Sequence, residues 1–119
     1  MKSQRVNLMF RAFSDPTRLR ILGLLQAGEC CVGDMVTVLK LAQPKISRHL
    51  AYLKRTGLIA GRKQGLWRYY RLAEAKGKFH QNLLRCLESC FTEMPALKAD
   101  ADRLVRLRLE GGCCPDDSC

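Results

Sequence analysis

The stretch Gln43-Pro44-Lys45-Ile46-Ser47-Arg48-His49-Leu50-Ala51-Tyr52-Leu53-Lys54-Arg55-Thr56-Gly57 decides how the rest of the chain is read. Ile46, Leu50 and Leu53 recur at helical spacing, Pro44 falls in a first turn where a missing N–H costs little, and Gly57 ends the run. The opposite face carries Lys45, Ser47, Arg48 and Tyr52. A shorter helix is expected before it, capped by Asp34, with Met35, Val38 and Leu39 facing inward and a break near Leu41 and Ala42. Two short helices separated by about three residues, the second basic on its exposed face, read as a helix-turn-helix.

Downstream, the period changes. Gly61 to Gly65 is polar and turn-rich, and Trp67 to Leu72 is aromatic and basic, so a two-stranded hairpin is expected with Arg62, Lys63, Gln64 and Gly65 near its tip. Such a hairpin beside a helix-turn-helix is a wing. Upstream, Val6 to Phe13 reads as a short helix. Ser14 or Asp15 can cap the next one, whose stripe of Leu19, Ile21, Leu22 and Leu25 ends at Gly28. Phe79, Leu83, Leu84, Leu87 and Phe91 form a wide helical stripe, and Leu97, Ala101, Leu104 and Val105 imply a last helix to about Leu109. The fold class is therefore mainly α with a small β-hairpin. A core this small leaves the terminal helices short of cover, so a homodimer through them is expected. Residues 1–110 form the winged helix-turn-helix and dimerisation domain, and 111–119 a flexible cysteine-rich tail.

Length and composition bound the function. A chain of 119 residues, 47% hydrophobic and 27% charged, buries one core. No apolar run approaches the roughly 18 to 20 residues of a spanning helix, and Met1 to Phe10 lacks the apolar core of a secretory signal, so a cytoplasmic protein is expected. Lys and Arg number 21 against 11 acidic residues, a net charge of +10. From Gln43 to Leu72 there are eight basic residues and no acidic one, which points to double-stranded nucleic acid as the partner. Gln43, Lys45, Ser47, Arg48 and His49 occupy the part of the second helix that enters a major groove. Gln and Arg can read base edges there, while Ser47 and Lys45 more often touch backbone. Arg62, Lys63, Gln64 and Arg68 of the wing sit over phosphates or an adjacent minor groove. Trp67, Tyr69 and Tyr70 are read as packing residues.

Seven cysteines, Cys30, Cys31, Cys86, Cys90, Cys113, Cys114 and Cys119, are an odd total with two adjacent pairs, which favours reduced thiols over a disulfide framework. Clustered thiolates select thiophilic ions. A thiol phosphatase or arsenate reductase would need a phosphate cradle and an Arg six positions after the cysteine. The residues six after Cys30, Cys31, Cys86, Cys90 and Cys113 are Val36, Thr37, Thr92, Ala96 and Cys119, so an enzyme is disfavoured.

Asp15-Pro16-Thr17-Arg18-Leu19-Arg20-Ile21-Leu22, Gln43 to Leu50, Gly57-Leu58, Arg62-Lys63-Gln64-Gly65 and Tyr69-Tyr70-Arg71-Leu72 together resemble the arsenite-responsive branch of the ArsR/SmtB family of bacterial repressors. The resemblance covers roughly Phe10 to Leu72. It implies a dimer of winged helices that leaves its operator when trivalent arsenic, antimony or a methylated arsenical binds thiolates. Well-known members carry a C-V-C-D-L-C box, whereas this chain has Cys31-Val32-Gly33-Asp34-Met35-Val36, keeping one of the three thiols and adding Cys30. The inducer is therefore assigned to Cys113, Cys114 and Cys119, where adjacent thiols and a turn through Pro115 and Asp116 can supply three sulfurs, with Cys30 and Cys31 as second choice. Cys86 and Cys90, flanked by Leu83, Leu87 and Phe91, are read as buried small hydrophobes. Zinc fits less well, because zinc sensors of the resembled family use carboxylates and histidines on the last helix, whereas Ala96 to Glu110 offers Asp100 and Asp102 but no His. Two alternatives keep the fold: a redox or persulfide sensor pairing Cys30 or Cys31 with Cys86 or Cys90, and a constitutive DNA binder indifferent to thiol reagents.

Overall fold

The computed structural model describes residues 3–112. Six helices and three strands follow in the order α1 Ser3–Phe13, α2 Pro16–Leu25, β1 Cys30–Cys31, α3 Val32–Leu39, α4 Gln43–Thr56, β2 Ile59–Gln64, β3 Trp67–Leu72, α5 Lys78–Glu93 and α6 Pro95–Leu109. Asp15 caps α2, its carboxylate accepting the Arg18 N–H at 3.1 Å, with Pro16 in the first turn as expected. Burial pushes the Asp15 carboxyl up, but the Arg18 N–H and the positive charge of Arg18 outweigh it and hold the group below its usual range. Lys40, in the left-handed region at φ 57°, closes α3 and turns the chain into α4.

The wing is a three-stranded antiparallel sheet of order β1-β3-β2, where the sequence suggested two strands. Cys30 and Cys31 pair with Tyr70 and Tyr69 as its third strand. Two residues are too few to carry an alternating pattern, which is why β1 leaves no sequence signal. It also moves the start of α3. Cys31 is extended at φ −84°, ψ 157° and caps the helix with its sulfur, which accepts the Asp34 N–H at 3.3 Å. Asp34, expected as the cap, is buried inside the first turn instead.

Part of the apolar face of α6 meets its own chain, while Val105 and Leu109 of the same helix stay exposed. Leu97 and Leu104 are buried, and α6 packs on α2 and α3. Gly23 makes this close approach possible, since a Cβ there would lie 3.1 Å from the Leu97 side chain. Asp100 fastens the contact. Fully buried, it accepts from Arg20 Nε and Nη2 at 2.8 Å each and from Arg103. Arg103 in turn donates to the Val38 carbonyl and Arg20 to that of Leu39, at the end of α3. The Asp100 carboxylate raises the Arg20 guanidinium above its usual value, against the burial that lowers it. Asp100 is thus a strut between helices rather than a metal ligand. Apolar surface remains on α1, where Phe10 is 55% exposed and stacks edge-on against Phe79 of α5.

Candidate nucleic-acid interface and cysteine sites

The start of α4 and the wing face each other across an open cleft, with Gln43 and Ser47 on one wall and Leu66, Trp67 and Arg68 on the other. Ile46, Leu50 and Leu53 are buried beneath α4, so Gln43, Lys45, Ser47 and Arg48 are left exposed on its outer face. His49 is only half exposed, and desolvation lowers its pKa, aided by Arg18, Lys45 and Arg48 and opposed by Asp15. Tyr52 lies under the guanidinium groups of Arg18 and Arg55, with centroid distances of 4.2 and 5.2 Å. In the wing, Lys63, Gln64 and Arg68 are exposed. Arg62 is exposed too, yet it is engaged: it forms a two-pronged ion pair with Glu29, at 2.8 and 2.7 Å, and stacks over Tyr69 at 4.3 Å. Tyr69 is buried and Trp67 and Tyr70 half-buried, in line with a packing role. Gly61 stands opposite Tyr70, and a Cβ there would meet the ring at 2.7 Å.

The cysteines separate into distinct settings. Cys30 and Cys31 are fully buried at the base of the wing, and Cys31 is engaged in a disulfide, which departs from the expectation of reduced thiols throughout. Cys86 is exposed and Cys90 half-buried on α5, so reading them as buried hydrophobes is corrected; their positions on the helix leave Leu83 and Leu87 to fill the core. Cys113, Cys114 and Cys119 lie outside the described residues. The chain nevertheless leads to a definite place. Gly112 lies against Asp34 in the first turn of α3, with a Cβ there 3.4 Å from the carboxylate, and Arg108 donates to the Glu29 carbonyl at 2.7 Å. Glu29 therefore touches the end of α6 through its backbone and the wing through its side chain. Sequence reasoning missed this residue because an isolated Glu in a turn carries no pattern. Among the described residues, no three His, Cys, Asp or Glu side chains come together as a metal-holding group.

Residues 15–60 match the family of bacterial regulatory proteins described as the arsR family. ArsR1, an arsenic resistance transcriptional regulator of Pseudomonas putida, is 46% identical over 101 residues, which cover 84% of this chain and 77% of that protein. The chain belongs to the ArsR family. The arsenical resistance operon repressor of Escherichia coli is 53% identical over 66 residues, or 55% of this chain and 56% of that protein, so the match spans little more than half of its length. Among solved structures, HlyU from Vibrio cholerae superposes with a TM-score of 0.66 at 27% identity, covering 79% of this chain and 98% of that one. The repressor BigR from Xylella fastidiosa gives 0.62 at 28% identity, covering 76% and 87%. As an ArsR-family member, the chain is a DNA-binding transcriptional regulator with a winged helix-turn-helix and not an enzyme. No described helix is long and apolar enough to cross a membrane.

Proposed function

We propose that this chain is a cytoplasmic repressor that binds operator DNA as a homodimer and releases it when trivalent arsenic, or antimony, is taken up by cysteine thiols of the tail and of the α3 start. DNA is held by Gln43, Lys45, Ser47, Arg48 and His49 in the major groove and by Lys63, Gln64 and Arg68 over phosphates, with Arg62 shared between DNA and Glu29. The second copy is met through the terminal helices α1 and α6, where Phe10, Val105 and Leu109 leave apolar side chains exposed.

The observation that carries the inducer reading is the position of Gly112 beside Asp34. Cys113 and Cys114 follow Gly112 directly in the sequence, and Cys31 caps the helix whose first turn holds Asp34. In the reduced chain, three thiols drawn from Cys113, Cys114, Cys119, Cys30 and Cys31 condense with As(OH)3. Each S–H proton leaves with one hydroxide as water, and arsenic stays trivalent. The N–H groups at the start of α3 favour sulfur carrying negative charge.

Release follows from where the ion sits. Cys31 belongs at once to β1, hydrogen-bonded to wing strand β3, and to the cap of α3, the first helix of the DNA-binding motif. An ion that binds better when β1 and the end of α6 are drawn together weakens DNA binding by that differential affinity. Replacing both Cys113 and Cys114 by Ser should leave DNA affinity intact and abolish release by arsenite; arsenite release unchanged in this variant would remove the tail from the account.

A further inference from the structure

Cys86 and Cys90 stand four residues apart on α5, so they lie one above the other on one face, with about 5–6 Å between Cβ atoms. Phe79 lies two turns before Cys86 on the same side. Both cysteines are free thiols, one exposed and the other half-buried. Burial pushes the Cys90 thiol up, and the neighbouring Cys86, which hydrogen-bonds it, and the charge of Glu93 push it further. The two thiols are therefore in contact and reachable from solvent, unlike the fully buried Cys30 and Cys31.

We propose that Cys86 and Cys90 form a second soft-ion site, separate from the tail, that takes a monosubstituted trivalent arsenical, R–As(OH)2. Two sulfurs at one helical turn satisfy two of the three positions around trivalent arsenic, and the organic substituent fills the third. Inorganic arsenite would need a third soft ligand. Glu93, whose charge acts on Cys90, offers only a hard carboxylate, and no group of three His, Cys, Asp or Glu side chains that could hold a metal ion exists among the described residues. The apolar surface of Phe79 on the same face suits an organic substituent. The step is a condensation: two S–H bonds and two As–O bonds break, two As–S bonds form and two waters leave. Arsenic remains trivalent, so no oxidant or reductant is required.

The test uses the full native chain, reduced beforehand with a phosphine, and phenylarsine oxide as the probe. A pulse of N-ethylmaleimide is followed by trypsin, which releases both thiols in one peptide, Cys86–Lys98, and the tail in another, Leu109–Cys119. Without arsenical both Cys86 and Cys90 are expected to label. With it, both should lose their label together, and in Cys86→Ser the remaining Cys90 should label as though no arsenical were present. Inorganic arsenite should leave the Cys86–Lys98 peptide fully labelled. Unchanged labelling with phenylarsine oxide, equal protection of Cys90 in Cys86→Ser, equal protection by arsenite, or thiols that refuse maleimide from the outset would each overturn the proposal. Because the tail peptide is read in the same digest, failure at α5 is distinguished from failure of the tail site.

Discussion

Arg48 and Arg62 show why two cations of equal formal charge contribute differently. Arg48 projects from the outer face of α4 with no acidic residue anywhere from Gln43 to Leu72, so its charge is available to DNA. Arg48→Ala should weaken DNA binding by about 1–3 kcal/mol with an unchanged unfolding midpoint, read by fluorescence anisotropy and by urea titration. Arg62 is partly neutralised by Glu29. An exposed pair of this kind adds little to stability, so Glu29→Gln should leave folding unaltered while tightening DNA binding and steepening the log affinity against log salt slope by about 0.9 per chain. An unaltered slope would mean that Arg62 does not reach phosphate. His80 is a buried residue the DNA account does not use: its Nδ1 accepts the Lys76 N–H, and its Nε2 has no partner among the described residues. Burial, then Arg5 and Lys76, hold its pKa below 6.5. The unfolded chain binds this proton more tightly, so the stability contributed by the neutral ring is complete above about pH 6.5 and is lost as pH falls toward the folded value. The urea midpoint should drop between about pH 7.5 and 5.5 and drop less in His80→Leu; parallel profiles would contradict this. The cationic run was legible from residue types alone, whereas the engagement of Arg62 was not, because Glu29 lies 33 positions away.

At the scale of elements, α2, α4 and the β2–β3 hairpin were readable because each carries its own periodicity and its own stop residue, as with Asp15 and Pro16 at one end and Gly57 at the other. The element that joins the parts, β1, was hidden: two cysteines in extended conformation look the same in sequence as two cysteines in a turn. The contact of α6 with its own chain was not legible either, since Leu97 and Leu104 do not say whose surface they cover, and a single aspartate, Asp100, fastens it. Asp100→Ala should therefore destabilise the chain by about 1–3 kcal/mol, measured by urea unfolding. Arg20 and Arg103 remain partly exposed once their partner is gone, which keeps the cost below that of stranding a buried charge. A loss comparable to that of an ordinary surface substitution would mean that α6 is held by its leucines alone.

Seen as a whole, the molecule brings its two chemistries to one junction. The wing, the cap of α3 and the end of α6 meet around Glu29, Cys31, Asp34 and Gly112, and the DNA-facing side chains of α4 and the wing project from the same unit. A dimer gripping about eight phosphates should show a log affinity against log salt slope of about −7. The most direct measurement is fluorescence anisotropy on a labelled duplex selected by the protein from a random pool, titrated with arsenite under reducing conditions, comparing the full chain with a version ending at Gly112. The account predicts equal DNA affinity for the two before arsenite, and release of the full chain alone after it. Release of both to the same extent, or of neither, would contradict it.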